Sequence, residues 1–240
     1  MNIATLVLSG HSHVDGISVN TPGTIILTPG GGNTTVSRTI NIDVADGGRV
    51  DVNNNGLMVD YGGPPSNSPM PAIVGYLNSG RNGGAWNGTG IDSTFAANSP
   101  LPIGLAAIEG SAYRQLYGAN ASFGGEPVDD TSVLVRLTYE GDANLDGRIT
   151  FDDYTRIDTG FSASLSGYVN GDFNYDGVVN FDDYVLIDVA YNVQNGTLER
   201  AIDWISGDDR SGSGRTDFGE LGSTELAEVI RIVITPRAGH

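Results

Sequence analysis

The strongest constraint in this sequence is an internal duplication. Gly141–Phe161 aligns with Gly171–Tyr191 at an offset of 30 residues, and 11 of the 21 aligned positions are identical. Two segments this similar predict one structural unit that occurs twice. The stretch is also strongly acidic, because residues 141–191 hold ten Asp and only two Arg. We therefore expect a paired unit whose role depends on carboxylates.

The spacing of oxygen-bearing residues in each copy is that of a calcium loop. Calcium takes about six to eight oxygen ligands, which a loop supplies from positions 1, 3, 5, 7, 9 and 12, with Gly at position 6. In the first copy the ligand positions hold Asp142, Asn144, Asp146, Arg148, Thr150 and Asp153, and in the second they hold Asp172, Asn174, Asp176, Val178, Asn180 and Asp183. Arg148 and Val178 would contribute their backbone carbonyls. The sequence predicts two Ca²⁺ ions, with the apolar residues at position 8, Ile149 and Val179, paired to each other.

Position 12 carries Asp instead of the Glu of EF-hand loops, and its shorter side chain draws the following helix closer. In this residue and in its flanks the pair resembles the type I dockerin repeat. That resemblance implies an extracellular calcium-binding module that binds a cohesin-like protein, with helices at Tyr154–Thr159 and Tyr184–Tyr191. The family reads its partner at loop positions 10 and 11, often with small hydroxyl residues, where this chain has Phe151-Asp152 and Phe181-Asp182. The candidate partner-binding residues are Phe151, Phe181, Tyr154 and Tyr184.

A wider part of the chain also has a familiar pattern. Val50–Tyr61, Gly83–Gly88 and Val133–Tyr139, followed by the repeats, resemble the C-terminal region of large secreted planctomycete-type surface proteins. That resemblance implies β-strand repeats ahead of the calcium module and a non-catalytic role at the cell surface.

The fold class predicted is mainly β with a small α module. Short Val-, Ile- and Thr-rich runs bounded by Gly, Asn and Asp predict strands at Ile3–Leu8, Gly23–Leu27, Val36–Val44, Arg49–Asn53, Leu57–Tyr61 and Thr131–Tyr139. They would form a sandwich or the last coils of a stacked-strand structure. Ile103–Leu116 reads as strand or helix, with strand favoured, and Pro71–Leu77 and Ser93–Ala97 read as helical. The predicted organisation is a β-rich domain at 1–139, the dockerin-like module at 140–195, and a tail at 196–240 with a helix at Thr197–Ile205 and a strand at Glu228–Thr235.

Composition excludes several functions. The chain has 29 acidic residues, 12 Arg, no Lys and no Cys, and its net charge is −17. Such a chain repels nucleic acid and anionic membranes. It has no lysine for Schiff-base chemistry and no thiolate for catalysis or metal binding. Without a nucleophile elbow or a centrally placed His, we expect no enzyme.

The sequence therefore favours a calcium-stabilised structural subunit of an extracellular assembly, without membrane insertion. Its two β-prone ends, Ile3–Leu8 and Val229–Ile234, would allow copies to polymerise head to tail by strand exchange. An alternative is an adaptor that binds a cohesin-like protein, and exposure of Phe151 and Phe181 would favour it. A third function is a carbohydrate-binding or hydrolytic module, in which Trp86 would either stack on a glycan or anchor the core.

Overall fold

A computed structural model describes residues 5–30, 34–194, 196 and 198, and the backbone of 230–234. The strands are β1 (Thr5–Leu8), β2 (Ser12–Val19), β3 (Thr24–Leu27), β4 (Val36–Thr39), β5 (Ile42–Val44), β6 (Arg49–Asp51), β7 (Gly56–Asp60), β8 (Gly90–Asp92), β9 (Ile103–Glu109), β10 (Ser122–Phe123), β11 (Glu126–Pro127), β12 (Ser132–Tyr139) and β13 (Ile230–Ile234). The helices are α1 (Met70–Arg81), α2 (Thr94–Ala97), α3 (Gly110–Tyr117), α4 (Phe151–Ala163) and α5 (Phe181–Val193). The chain is thus β-rich with several helices.

Parallel strands stacked in successive coils form the centre of the fold. One sheet has the order β1-β3-β6-β8, and all of its neighbours are parallel. The second has the order β13-β2-β4-β7-β12-β9, with β5 also paired to β2. Its pairs are parallel from β13 to β7 and antiparallel from β7 to β9. This parallel arrangement matches the stacked coils that the sequence offered as one alternative, since a sandwich is built from antiparallel hairpins.

The register shows how one coil lies on the next. Ser12 pairs with Ser37 and Ile17 with Ile42, each 25 positions later, whereas Val36 pairs with Gly56, 20 positions later. Buried Val, Ile and Leu side chains from both sheets join one hydrophobic core. Each coil therefore buries its apolar face against its neighbours, as in solenoid proteins.

Several predicted elements differ from the structure at particular residues. The predicted strand Val36–Val44 is broken into β4 and β5, where the Thr39 hydroxyl donates to the Asn41 carbonyl at 2.8 Å. The favoured strand assignment for Ile103–Leu116 is wrong in its second half, because the strand β9 ends at Glu109 and α3 begins at Gly110. The strand β2 was not predicted.

Helix α1 covers one end of the stack. It packs on β8 and β9, and its Gly80 lies so close to β8 that an added Cβ would sit 1.9 Å from the Ile91 carbonyl oxygen. Trp86, which follows this helix, is 2 % exposed and packs over Gly104. Trp86 is therefore a core anchor, and its reading as a glycan-stacking platform on a loop is wrong.

The hydrophobic core continues from the stack into the duplicated segment. Tyr168 donates to the Tyr139 carbonyl at 3.0 Å, and Tyr175 donates to the Leu105 carbonyl at 2.7 Å. Both tyrosines and both acceptor residues are buried in the same cluster. The predicted boundary at residue 139 therefore falls within a shared core.

The described part of the predicted tail is small. The backbone of Ile230–Ile234 is extended and pairs in parallel with β2, in agreement with a strand near the end of the sequence. The predicted helix at Thr197–Ile205 lies almost wholly outside the described residues. Among the helices that the structure describes, none has the length and apolar character to cross a membrane.

Candidate metal centre

The two copies of the repeat have the same local structure. Each begins at a glycine with positive φ, Gly141 at 110° and Gly171 at 105°, and each ends in a 13-residue helix, α4 or α5. The order of buried and exposed residues is the same along Phe151–Gly160 as along Phe181–Ala190. The sequence duplication is thus a structural duplication.

Loop position 6 requires glycine in both copies. Gly147 and Gly177 have φ values of 84° and 90°, a conformation that costs glycine little and other residues more. The turn directs the Gly147 N–H toward the first ligand position, where it donates to Asp142 Oδ2 at 2.8 Å. The prediction of a sharp turn at this position is confirmed.

Positions 3 and 5 lie next to each other in both loops. Asn144 Oδ1 accepts from the Asp146 N–H at 2.9 Å, and Asn174 Oδ1 accepts from the Asp176 N–H at 2.8 Å. The aspartates at position 5 are exposed, whereas those at position 1 are buried. Arg148 and Val178, at position 7, direct exposed side chains to solvent, which suits residues expected to contribute only a carbonyl.

Position 12 lies within the first turn of each helix. The helices begin three residues before the predicted starts at Tyr154 and Tyr184, so that Asp153 and Asp183 occupy the third helical position. Asp153 Oδ1 accepts from the Asn144 N–H at 3.1 Å, and Asp183 Oδ1 accepts from the Asn174 N–H at 3.2 Å. The structure therefore brings positions 3 and 12 together across each loop.

Position 9 caps the helix, a role that the sequence reasoning missed. The Thr150 hydroxyl accepts from the Asp152 N–H at 3.3 Å, and Asn180 Oδ1 accepts from the Asp182 N–H at 2.7 Å. The carboxylate three residues later bonds back to the cap N–H in both copies, which completes a capping box. The spacings Thr-x-x-Asp and Asn-x-x-Asp in the sequence are typical of a capping box and would have predicted this role. Thr150 and Asn180 thus support the loop as helix caps, and their role as metal ligands stays a prediction.

Four aspartates of the two loops are buried without a basic partner. Asp142, Asp153, Asp172 and Asp183 are each at most 1 % exposed. Among the described residues, every Arg–carboxylate ion pair involves other acids. Burial raises the pKa of all four carboxyl groups, to about 7 for Asp142. Desolvation makes the ionised form of these carboxyl groups costly, and a bound cation would offset that cost.

One carboxylate oxygen of the two loops is buried without a hydrogen-bond partner. Asp172 Oδ1 is buried and has no hydrogen-bond donor, while Asp172 Oδ2 accepts from the Gly167 N–H at 3.3 Å. Native structures rarely leave a buried acceptor unsatisfied, so an orphaned oxygen calls for a ligand. Its place at loop position 1 agrees with a role as a cation ligand.

The donor chemistry fits a hard cation. Within the part of the chain that the structure describes, no group of three His, Cys, Asp or Glu side chains is placed to hold a metal ion. The loops offer carboxylate, amide and backbone carbonyl oxygens together, which is the mixed set that Ca²⁺ takes and that softer metals do not prefer. Asp142, Asn144, Asp146 and Asp153 would hold one ion, and their counterparts 30 residues later would hold the other.

Both residues at loop position 8, Ile149 and Val179, are buried. The Ile149 N–H donates to Gln194 Oε1 at 2.8 Å, and the Ile149 carbonyl accepts from Gln194 Nε2 at 2.7 Å. The Gln194 amide thus satisfies the Ile149 backbone, and the pairing of Ile149 with Val179 stays a prediction. Gln194 follows α5 in the chain, and no local motif identifies it.

Reciprocal contacts join the two repeats. Tyr154 donates to Asp188 Oδ1 at 2.6 Å, and Tyr184 donates to Asp158 Oδ1 at 2.6 Å. Burial and the adjacent carboxylate together raise the pKa of Tyr184 to about 12. The hydroxyls of two predicted partner-binding residues are therefore engaged inside the module.

The other two predicted partner-binding residues project into solvent. Phe151 is 82 % exposed and Phe181 is 76 % exposed. Val178, Val185 and Val189 are exposed nearby in the second repeat. The exposure of Phe151 and Phe181 is the condition under which the sequence favours an adaptor.

Comparison with known proteins gives no relative. No family model, no curated protein and no solved structure matches this chain. The resemblance to dockerin repeats stays a prediction that rests on the residues of the two loops.

Proposed function

We propose that this chain is a non-catalytic, calcium-stabilised structural subunit of an extracellular assembly. The observation that carries the proposal is the set of four buried loop aspartates without a basic partner. Two Ca²⁺ ions would supply the missing charge, one to each loop. Loops of this type in extracellular modules bind calcium with Kd values on the order of 0.1–1 mM. Such loops would fill at the millimolar calcium found outside cells and would stay empty in a cytosol.

The calcium assignment is tested by removing one exposed ligand from each loop. We expect Asp146→Ala together with Asp176→Ala to abolish most of the rise in Tm that calcium produces. Binding to the native state stabilises it by about 2.7 kcal/mol for each site at a hundredfold excess over Kd. For a chain of this length, each kcal/mol raises Tm by roughly 2–4 °C.

The matched control is Asp152→Ala together with Asp182→Ala. These aspartates are exposed and lie at position 11 of the same loops, so their replacement removes the same charge, but they are not predicted ligands. The control should keep the calcium-dependent rise in Tm. An equal Tm for the wild-type chain in calcium and in chelator would contradict the assignment.

Assembly would use the end of the stack that carries β1. The strand β1 is an edge strand of its sheet, and Val7 on it is 52 % exposed. Among the described residues no strand pairs with the outer edge of β1, and such an edge is a template for a strand from another copy. We propose head-to-tail addition at this edge, which would be heterologous and would extend into a filament. In the described structure β1 pairs with β3, and β13 pairs with β2. Exchange of an end strand between copies would therefore replace one of these pairings within a chain by a pairing between two chains.

Light scattering tests the assembly. Polymers that form in millimolar calcium and shrink in chelator would support it. A chain that stays monomeric in both solutions, at concentrations well above micromolar, would contradict it without affecting the calcium assignment.

A second candidate function is an adaptor that binds a cohesin-like protein through α4 and α5. The exposure of Phe151 and Phe181 is the observation that favours it. Calorimetric titration against cohesin modules, in calcium and in chelator, tests it. Phe151→Ser with Phe181→Ser should abolish binding and leave Tm nearly unchanged, because neither ring is buried. If none of the cohesin modules produces a heat of binding with the wild-type chain, this candidate function is contradicted.

A further inference from the structure

The β-rich part of the chain contacts the two loops differently. Three of its side chains donate hydrogen bonds into the first loop. Tyr117 of α3 donates to the Asn144 carbonyl at 2.7 Å, Arg136 of β12 donates from Nη1 to the Leu145 carbonyl at 3.0 Å, and the Thr138 hydroxyl of β12 donates to Asp142 Oδ2. Loop positions 1, 3 and 4 are thus held from outside the module.

The second loop has a different support. At its position 4, Tyr175 is itself the donor, and its hydroxyl reaches the Leu105 carbonyl at 2.7 Å. At position 1, Asp172 Oδ1 lies buried without a donor, whereas both oxygens of Asp142 accept hydrogen bonds. The two loops share a ligand pattern in sequence but differ in how the fold fixes their ligands.

We infer that the two calcium loops are unequal and that Tyr117 and Thr138 are positioning residues for the first. This inference rests on the proposed calcium function. A ligand set that is fixed before the ion arrives loses less conformational freedom on binding, so the first loop binds calcium more tightly and fills first. Arg136 also fixes the loop, but its positive charge opposes a cation, and the two neutral hydroxyls are the cleaner positioning groups.

The same contacts link the ion to the β-rich part. If Tyr117 favours the calcium-bound form of the loop, then calcium favours the packed position of α3 by the same factor. Calcium should therefore slow amide hydrogen exchange in α3 through this hydroxyl. A residue that only stabilised the fold would slow exchange equally with and without calcium.

Calorimetric calcium titrations of the full chain, with each loop observed separately, test the inference. The Asp176→Ala chain should bind calcium only in the first loop, so its titration measures the Kd of that loop. The Asp146→Ala chain should bind only in the second loop and measures the Kd of that one. Both aspartates are exposed, so neither change disturbs the core. We expect a lower Kd in the Asp176→Ala chain than in the Asp146→Ala chain.

The Tyr117 hydroxyl is then removed in both the Asp176→Ala chain and the Asp146→Ala chain. Tyr117→Phe should raise the Kd of the first loop about threefold to tenfold, as expected for one hydrogen bond, and should leave the second loop unchanged. Thr138→Val should act in the same direction. The control is Tyr113→Phe on the same helix, whose hydroxyl donates to the Ser122 carbonyl at 3.3 Å and does not contact a loop.

Hydrogen exchange supplies the second readout. Calcium should protect α3 in the wild-type chain and less so in Tyr117→Phe. A first-loop Kd that does not respond to Tyr117→Phe, or an equal change in both loops, would overturn the inference while leaving calcium binding intact. A wild-type chain that takes up no calcium would overturn the proposed function as well.

Discussion

Asp92 shows how a single buried acid sets a pH response in this chain. It lies at the end of β8, fully buried, and Arg49 Nε donates to its Oδ2 at 2.5 Å. Burial raises the pKa of Asp92 to about 7, because desolvation of the carboxylate outweighs the attraction of Arg49 and the nearby Asp51 opposes ionisation. Asp92 therefore holds its proton in the folded chain at pH values where an unfolded Asp has lost it.

This shift predicts that the folded state loses stability as pH rises. The folded state binds the proton more tightly than the unfolded state, so the contribution of Asp92 is fully present below about pH 4 and is lost as pH approaches about 7. The shift corresponds to roughly 4 kcal/mol. We expect Asp92→Asn to remove this slope from the free energy of unfolding, measured by urea denaturation between pH 4.5 and 8.

Saturating calcium in every sample keeps the loop aspartates from adding their own slopes. The Asp15→Asn chain is the control, since its carboxylate faces solvent. Parallel pH profiles for the wild-type and Asp92→Asn chains would show that Arg49 keeps Asp92 ionised, contrary to this expectation.

At the scale of elements, α1 offers two glycines with opposite environments. A Cβ at Gly75 would meet no atom within 4 Å, whereas one at Gly80 would lie 1.9 Å from the Ile91 carbonyl oxygen. Both residues lie inside the same helix, so their intrinsic helix propensities are the same. Only the packing against β8 distinguishes them.

We therefore expect opposite changes in stability from the same substitution. Gly75→Ala should stabilise the chain by about 0.5–1 kcal/mol, because alanine is the better helix former. Gly80→Ala should destabilise it by about 1–3 kcal/mol or more, because α1 would have to move off β8. Urea denaturation of both variants measures the difference. Similar values for the two would contradict the close approach of α1 to β8.

Short strands were predictable where local pattern and burial agree. Thr24–Leu27 and Ser132–Tyr139 are β-prone runs bounded by turn residues, and both are strands. Ser12–Val19 was missed because Asp15 and Gly16 interrupt the apolar pattern. In the structure Asp15 faces solvent, and Gly16 makes room for the Asn41 side chain of the next coil. The need for a small residue there comes from a segment far along the chain.

The candidate site likewise has a part that the sequence predicts and a part that it does not. The turn at loop position 6 could be predicted because a calcium loop is a local pattern with fixed spacing, and the ligand positions stay a prediction from that pattern. The support of the loops could not, because Tyr117 and Gln194 reach them from other elements. The change from strand to helix at Gly110 could not be predicted either. Gly110 packs against the Asp129 carbonyl and Ser132, which leave no room for a Cβ and lie about 20 residues further along the chain.

At the scale of the whole molecule, the stack and the duplicated segment share one core. The contacts of Tyr168 with Tyr139 and of Tyr175 with Leu105 are buried at the junction. Parts of a chain that share buried contacts unfold together when the shared contacts are strong. The duplicated segment is therefore not an independent appendage of the stack.

This shared core predicts one unfolding transition. In saturating calcium, differential scanning calorimetry should give a single peak whose calorimetric and van't Hoff enthalpies agree. Tyr175→Phe should lower Tm and keep one peak if the other junction contacts suffice to couple the parts. Two separate peaks in the wild-type chain, with only one moved by chelator, would show that the module unfolds alone.

The reciprocal packing of the repeats has a consequence for their independence as fragments. A Cβ at Gly141 would meet Ile187 at 2.6 Å, and a Cβ at Gly171 would meet Ile157 at 2.7 Å, so each loop entry packs on the helix of the other copy. Neither repeat completes its own hydrophobic surface. A single repeat in isolation would expose this surface to water, and we expect two such repeats to cover it by packing on each other, as the two copies do within one chain.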